Sequence, residues 1–218
     1  MNMLKRTLIT VAGGMSLMLM SIAQADEWPE LLAVQQQWAV VNYTLAEKER
    51  DKAFDELIAK AESLTQAQPQ RAEGWIWLGI SQSSAAGAKG GLDALGLAKQ
   101  AKASLEKAIS LDEKALSGSA LTSLGVLYHK LPGWPVSFGS DKKAEKLLKQ
   151  ALEMNPKGID PNYFYGEFLF DDGKYTKAKE YLLLAQQAEP RANRALADSS
   201  RQKEIEMLLT KVEKKLSR

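Results

Sequence analysis

One spacing of small and apolar residues recurs three times in the sequence. In each copy an alanine is followed by a leucine, a second alanine and a closing residue at intervals of four, three and five positions. The three copies are Ala101, Leu105, Ala108 and Glu113; Ala144, Leu148, Ala151 and Pro156; and Ala178, Leu182, Ala185 and Pro190. Intervals of three and four residues place side chains on one face of an α-helix. Because alanine lets a neighbouring helix approach closely, the spacing predicts helices that pack in pairs.

A glycine precedes each copy, within a second helical pattern. Gly79, Gly125 and Gly166 each follow a large side chain, and we expect them to face the alanines across a helix crossing. Helices of about 12–15 residues are marginal alone in water, so several pairs must stack to bury a continuous core. The predicted pairs span residues 29–69, 72–113, 119–156 and 160–190, and a charged capping helix spans 193–216. Strand patterns are nearly absent, so the sequence predicts an all-α fold.

Two helix starts carry capping signals. Ser140 is a favourable N-cap residue for the helix that begins at Asp141. Asp160 followed by Pro161 predicts a capping residue and a proline in the first helical turn.

The glycine and alanine positions resemble those of the tetratricopeptide repeat over most of the chain. The last pair fits the family spacing best, because the interval from Gly166 to Ala178 equals the interval from Ala178 to Pro190. The resemblance implies a right-handed superhelical stack of antiparallel helix pairs. It also implies that the concave face of the first helices binds peptide or protein segments.

The two earlier pairs depart from the family spacing. The intervals from Gly79 to Ala101 and from Gly125 to Ala144 are both longer than the interval in the last pair, which indicates insertions between the paired helices. Residues 83–97 are rich in glycine and predict a flexible extension. They do not form a phosphate-binding loop, since no strand precedes them and no Gly-Lys-Ser/Thr follows.

The insertions also carry a narrower resemblance. Residues 131–140 (LPGWPVSFGS) and 88–91 (AKGG) look like segments of the periplasmic tetratricopeptide proteins that accompany TRAP-type solute transporters. This resemblance implies a periplasmic solute-binding protein as the partner.

Residues 1–25 have the features of a cleavable signal peptide. A basic segment, an uncharged and largely apolar run over positions 7–22, and small residues up to Ala25 follow in order. That run is shorter than the roughly 20 residues that a membrane-spanning helix needs. We therefore expect cleavage after Ala25, one domain over residues 26–218, no stable membrane insertion, and a periplasmic or secreted product.

Charge and cysteine content restrict the function. Removal of Lys5 and Arg6 with the signal peptide leaves 27 basic and 27 acidic residues from the 29 and 27 of the whole chain. A neutral surface gives no basic patch for nucleic acid. The sequence has no cysteine, which excludes disulfides, thiolate metal sites and cysteine nucleophiles.

Helical phase predicts which residues face the concave side. These candidate partner-binding residues are Ile76, Ile80, Thr122, Val126, His129, Tyr163, Glu167 and Phe170. The alternative is that the C-terminal helix folds back and fills the groove, which would make them core residues. Trp134 and Phe138, in the second insertion, are candidates for a lid or for a plug beneath their own loop.

No constellation in the sequence indicates catalysis. His129 is the only histidine, and no nucleophile–base pair, metal-ligand set or cofactor motif accompanies it. We therefore expect neither enzymatic activity, nor a cofactor, nor a metal. The sequence predicts a periplasmic adaptor that binds a partner protein through its concave face. The alternative is an accessory protein or carrier for a small apolar ligand enclosed by the stack and the Trp134 loop.

Overall fold

A computed structural model describes residues 28–217, except for the side chain of Leu92, and the predicted signal peptide lies outside this range. The α-helices are α1 (Pro29–Tyr43), α2 (Glu47–Ala67), α3 (Ala72–Lys89), α4 (Gly91–Asp112), α5 (Ser119–Lys130), α6 (Asp141–Met154), α7 (Ile159–Asp171), α8 (Tyr175–Gln186) and α9 (Ala195–Leu216). A short 3₁₀ turn (Ala115–Gly118) precedes α5. No β-strand occurs within residues 28–217, which confirms the all-α prediction. Over the same residues, no helix has the length and apolar character needed to cross a bilayer.

Three helix pairs share one close contact between a glycine and a leucine. A Cβ atom on Gly79 of α3 would lie 2.6 Å from Leu105 Cγ of α4. The equivalent distances are both 2.9 Å, from Gly125 to Leu148 and from Gly166 to Leu182. In each pair the first alanine of the recurrent spacing also presents its carbonyl oxygen to the glycine, at 3.2–3.4 Å from the built Cβ. Only glycine permits the paired backbones to approach this closely.

The first and last helices of the stack touch each other. α1 packs on α2 and α3, and it also contacts α9, which packs on α7 and α8. Tyr43 at the end of α1 donates a hydrogen bond to Glu204 of α9, with 3.4 Å between the oxygens. Trp38 of α1 donates from Nε1 to Ser84 Oγ of α3 at 2.8 Å. The C-terminal helix therefore caps the last pair and also contacts the first.

The glycine-rich segment is helical, contrary to the prediction of a flexible extension. α3 continues to Lys89 and α4 begins at Gly91, so only Gly90 separates them. Gly90 and Gly91 both have a φ of +65°, a left-handed backbone that glycine adopts without strain. Alanines such as Ala85, which is fully buried, favour helix in the rest of the segment. The long interval from Gly79 to Ala101 is therefore accommodated by longer α3 and α4 helices and not by a loop.

The second insertion, residues 131–140, does form a loop. Phe138 packs edge-on against Tyr128, with 5.5 Å between ring centroids, and Lys102 Nζ lies 5.8 Å from the Phe138 centroid. Trp134 is 90% exposed. Phe138 thus fills the space under its own loop, while Trp134 has its ring in solvent.

This difference predicts opposite outcomes for two alanine substitutions. Trp134→Ala should change the free energy of unfolding by less than about 0.5 kcal/mol, because the exposed ring loses little packing. Phe138→Ala should cost about 1–3 kcal/mol, less than a fully buried phenylalanine, because its ring is only partly buried. Urea unfolding of the two variants checks this, and an equal cost at both positions would contradict it.

Only one of the two predicted capping residues caps a helix. Ser140 Oγ accepts a hydrogen bond from a backbone N–H in the first turn of α6, at 3.4 Å, which confirms that prediction. Asp160 already lies within α7, and the residue before the helix is Gly158, which makes no side-chain cap. The Asp160 carboxylate instead accepts hydrogen bonds from Arg191 and Arg201.

Candidate functional site

A partly open cavity of about 650 Å³ lies between the helices of the stack. Side chains of α1, α3, α5 and α7 line it, and the segment from residue 189 to residue 201 closes one side. Its apolar lining residues are Trp38, Trp77, Ile80, Leu116, Val126, Ile159, Pro161 and Phe164. Its hydroxyl residues are Ser83, Ser84, Ser117, Ser119, Thr122 and Ser123. Its charged residues are Lys157, Asp160, Glu189, Arg191, Arg194 and Arg201.

Helix periodicity explains which residues reach the cavity. On α5 the lining positions Ser119, Thr122, Ser123 and Val126 are separated by the three- and four-residue steps that keep side chains on one face. Positions 77, 80 and 84 on α3 follow the same steps. The first helices of the second and third pairs therefore turn equivalent faces toward one space.

The turn before α5 has a strained backbone where it meets the cavity. Leu116 (φ 48°, ψ 40°) and Ser117 (φ 55°, ψ 43°) both have left-handed conformations, and Gly118 follows with φ 77°. Such conformations cost about 1–2 kcal/mol for a residue with a side chain. Leu116 is also 37% exposed, although it is apolar. Strain of this kind concentrates at ligand-binding sites, so the turn marks the cavity as a candidate site.

A network of ion pairs fixes the segment that closes the cavity. Arg191 and Arg201 both donate hydrogen bonds to the Asp160 carboxylate of α7. Arg191 also bonds Asp198, and Arg201 also bonds Glu204. Burial acts to raise the pKa of Asp160, but Arg201 and Arg191 outweigh it and hold that pKa below its usual range. The network therefore ties the start of α9 to the start of α7.

Arg194 differs from the other two arginines of this segment. Within residues 28–217 no carboxylate lies at ion-pair distance from it. Its guanidinium carbon lies 4.9 Å from the centroid of the Trp77 ring. Burial and the neighbouring Arg191 lower the pKa of Arg194, whereas Asp160 raises the pKa of Arg191 above its usual value despite burial.

Two buried donors in the cavity wall lack an acceptor. Arg194 Nε and Trp77 Nε1 are both inaccessible to solvent, and neither has a hydrogen-bond partner in the described part of the chain. Both residues line the cavity. A buried donor without an acceptor lowers the stability of a folded protein by roughly 1–3 kcal/mol. These two donors therefore destabilise the fold unless another group accepts their hydrogen bonds.

Tyr43 makes the contact between α1 and α9 sensitive to high pH. Burial raises the pKa of Tyr43 from 10.0 to about 12. The folded protein therefore holds the phenol proton more tightly than the unfolded chain does, and this contribution to stability is complete below about pH 10. We expect the free energy of unfolding to fall between pH 10 and pH 12, and to fall less in Tyr43→Phe. Urea unfolding at several pH values in this range measures the free energy of unfolding of the two proteins, and tyrosinate absorbance measures the ionisation of tyrosine. If this free energy falls equally steeply with pH in the native protein and in Tyr43→Phe, the raised pKa is not that of Tyr43.

Three of the eight predicted concave-face residues line the cavity. They are Ile80, Thr122 and Val126. Ile76 is fully buried in the core, and Tyr163 is 8% exposed with an arginine stacked on its ring. Neither lines the cavity, so a substitution at either position acts first on packing.

The other three predicted residues are His129, Glu167 and Phe170. They lie near the C-terminal ends of α5 and α7 and do not line the cavity. Glu167 forms an ion pair with Lys130 at 3.2 Å, and Phe170 packs against Tyr175 with 5.5 Å between ring centroids. The lid candidates Trp134 and Phe138 do not line the cavity either. A lid built from the 131–140 loop is therefore not part of this site.

His129 lies between two carboxylates that folding brings together. Its Nδ1 is 2.8 Å from Asp141 Oδ1 and its Nε2 is 2.9 Å from Asp171 Oδ2. Each ring nitrogen of His129 therefore contacts a carboxylate oxygen from a different helix. Burial acts to raise the pKa of Asp171, but hydrogen bonds from His129 and Lys130 hold it below its usual range. Within residues 28–217, no group of three or more His, Cys, Asp or Glu side chains is arranged to hold a metal ion. The contacts of His129 with the two carboxylates instead tie α5, α6 and α7 together.

Family models and one solved structure agree with this architecture. Tetratricopeptide repeat (TPR) family models match residues 142–201 and 92–114. A thermophilic TPR protein of Thermus thermophilus has a similar crystal structure, with a TM-score of 0.54 and 15% identity over 78% of this chain and 88% of that chain. The crystal structure of MamA matches with a TM-score of 0.45 and 23% identity over 80% of this chain and 96% of that chain. No curated protein matches the sequence. The chain thus matches tetratricopeptide repeat models over part of its length and folds as an all-α stack of the tetratricopeptide type.

Proposed function

We propose that this chain is a non-catalytic adaptor that takes part of a partner protein into the cavity on its concave face. The observation that carries the proposal is that equivalent faces of α3 and α5, with the start of α7, line one cavity. Stacked helical repeats present such concave surfaces to their ligands, and tetratricopeptide repeats typically bind protein partners. The strained turn at Leu116 and Ser117 lies in the same wall.

The cavity limits how much of a partner can enter. Because the segment before α9 closes one side, about 650 Å³ remains, which is the volume of a typical small-molecule site. A protruding side-chain cluster or the end of a chain fits this volume, whereas a long extended peptide does not. We therefore propose that recognition depends on a short element of the partner.

Photo-crosslinking in intact cells tests the adaptor proposal. A photoreactive amino acid at Ser123, in the cavity wall, should capture a partner protein, which peptide sequencing then identifies. The same residue at Lys107, exposed on α4 and outside the cavity, should not capture that protein. Equal capture at both positions, or no protein captured at Ser123, would refute the proposal.

A second candidate function is the binding of a small, largely apolar ligand in the same cavity. The cavity volume and the side chains of Trp77, Ile80, Val126 and Phe164 favour it. The intact mass of the protein crosslinked at Ser123 separates the two candidates. A partner protein adds many kilodaltons, whereas a small ligand adds a few hundred daltons at most.

We also propose that the protein works in the periplasm beside a solute-binding protein of a TRAP-type transporter. The signal-peptide pattern of residues 1–25 supports export, and the segments 88–91 and 131–140 support this choice of partner. Osmotic-shock fractionation should release a product that begins at Asp26. A product that retains residues 1–25 in the cytoplasmic fraction would refute the location, and capture of an unrelated protein at Ser123 would refute the partner.

A further inference from the structure

We propose that the loop of residues 131–140, together with the lysine side chains at the start of α6, binds reversibly to the surface of a membrane that contains anionic phospholipids. The loop does not line the cavity, so this inference does not depend on the function proposed for the cavity. It adds a second binding surface, whose partner is a lipid headgroup layer.

The first argument is that the loop presents apolar side chains to solvent. Trp134 is 90% exposed and Val136 is 63% exposed. Pro132 and Pro135 are exposed beside them, and residues 131–140 carry no charged side chain. Tryptophan is enriched at membrane–water interfaces, because its amphipathic ring suits the level of the headgroups.

The second argument is that hydrogen bonds and packing hold the loop in shape. The N–H of Val136 donates to the carbonyl oxygen of Gly133 at 3.1 Å. The N–H of Gly139 donates to the carbonyl oxygen of Pro132 at 3.0 Å. The ring of Phe138 packs on α5 beneath the loop. Because the loop is already ordered, binding through it costs little conformational entropy.

The third argument is the positive charge beside the loop. Lys142, Lys143 and Lys146 are exposed on α6, which begins directly after the loop. Lys143 Nζ lies 5.1 Å from the centroid of the Tyr128 ring, on which Phe138 of the loop packs. Lys146 follows Lys143 by three residues and therefore lies on the same side of α6. Within residues 28–217 no carboxylate lies at ion-pair distance from any of these three lysines.

The acidic side chains at the start of α6 do not cancel this charge. Asp141 contacts His129 Nδ1 at 2.8 Å, and Glu145 pairs with Lys149 at 2.8 Å. Between residues 141 and 149 there are four lysines and these two acids. The next acid, Glu153, lies near the opposite end of α6. The start of α6 therefore has an excess of positive charge.

The composition of this surface favours a lipid over a protein as its partner. Lysine is depleted in protein–protein interfaces and arginine is enriched, and residues 130–149 contain lysine but no arginine. Trp134 and Val136 alone are also too few to form the apolar centre of a stable protein interface, which buries about 800 Å² on each partner. Lysines beside an anionic bilayer are attracted to it, and an interfacial tryptophan adds to that attraction.

Sedimentation of the purified protein, without residues 1–25, with lipid vesicles tests the inference. We expect binding to vesicles of phosphatidylglycerol mixed with phosphatidylcholine, and at least about tenfold weaker binding to vesicles of phosphatidylcholine alone, because only the first attract the lysines. Added salt should weaken binding to the anionic vesicles, because it screens exposed charges.

A substitution in the loop assigns the apolar part of the binding. Trp134→Ala should weaken binding to the anionic vesicles by about tenfold, since it removes the interfacial ring. Met207, which is 58% exposed on α9, provides the apolar control. Met207→Ala should change binding by less than about twofold, because an exposed side chain outside the loop contributes no contact with the bilayer.

A pair of lysine substitutions assigns the electrostatic part. Lys142→Gln combined with Lys146→Gln should weaken binding to the anionic vesicles by about tenfold or more, because each lysine near the surface contributes. The control combines Lys107→Gln with Lys114→Gln. These two lysines are exposed near the C-terminal end of α4, and the same loss of charge there should change binding by less than about twofold.

The outcomes decide between a lipid and a protein as the partner of the loop. Equal binding to the two kinds of vesicle, failure to bind either, or unchanged binding in Trp134→Ala would overturn the inference. If a photoreactive amino acid at Val136 captures a protein in intact cells and the vesicles are not bound, the loop binds that protein instead. None of these results bears on the cavity, which the experiment at Ser123 tests separately.

Discussion

Arg201→Met should lower the free energy of unfolding by about 3–5 kcal/mol, because removing one member of a buried ion pair leaves its partners without a counter-charge. Arg201 is only 8% exposed, and its Nε donates to Asp160 Oδ1 at 3.0 Å. It also bonds Glu204, and its guanidinium carbon lies 4.4 Å from the centroid of the Tyr163 ring. Methionine keeps part of the packing and loses all of these charged contacts. Urea unfolding followed by circular dichroism measures the loss.

An exposed ion pair between α8 and α9 provides the control. Lys179 Nζ lies 3.1 Å from Glu213 Oε1, and the two side chains are 39% and 61% exposed. Lys179→Met should cost less than about 1 kcal/mol, because solvent screens the pair. If the two methionine variants unfold at the same urea concentration, the buried network does not hold α9 in place.

Gly79→Ala should lower the free energy of unfolding by about 1–2 kcal/mol, although alanine is the better helix former. The new Cβ would lie 2.6 Å from Leu105 Cγ and 3.2 Å from the carbonyl oxygen of Ala101. Leu105 is fully buried, so it cannot move away without disturbing α4. Overpacking therefore outweighs the gain in helix propensity. Chemical unfolding gives the sign of the change, which is the decisive observable.

The same substitution elsewhere in α3 should act in the opposite direction. Gly87 is exposed, and a Cβ atom there would have no atom within 4 Å. Gly87→Ala should raise the free energy of unfolding by up to about 1 kcal/mol through helix propensity alone. If both variants are stabilised, the close approach of α3 and α4 is not a constraint.

The fold was predictable because its main signals are local. The alanine, leucine and alanine of each second helix lie within two helical turns of one another, and helical periodicity places them on one face. The glycine of each first helix completes the contact as the seventh or eighth residue of its own helix. Helix pairing therefore needed no knowledge of distant contacts.

The glycine-rich segment shows where local signals mislead. Gly87, Gly90 and Gly91 predicted flexibility, but only the last two have left-handed backbones, at the junction of α3 and α4. Gly87 remains within a regular helix. Glycine content alone does not distinguish a tight turn between two helices from a flexible loop. The buried alanines that surround the glycines decide whether the helix continues.

The candidate site was only partly predictable. Helical phase located the faces that carry Ile80, Thr122 and Val126, but it cannot tell how far along each helix a cavity extends. The charged wall depends on contacts between positions far apart in the chain, from Asp160 to Arg191 and to Arg201. Sequence spacing gives no signal for contacts at such separations, and the pattern of Asp160 before Pro161 predicts a helix cap instead of an ion pair.

The contact between α1 and α9 changes how the protein should open. In a linear array each repeat touches only its neighbours, so the terminal repeats fray independently of the middle. Here the first and last helices are partners of each other. Amide protons of α1 and α9 should therefore exchange with solvent in one cooperative step with those of the central helices.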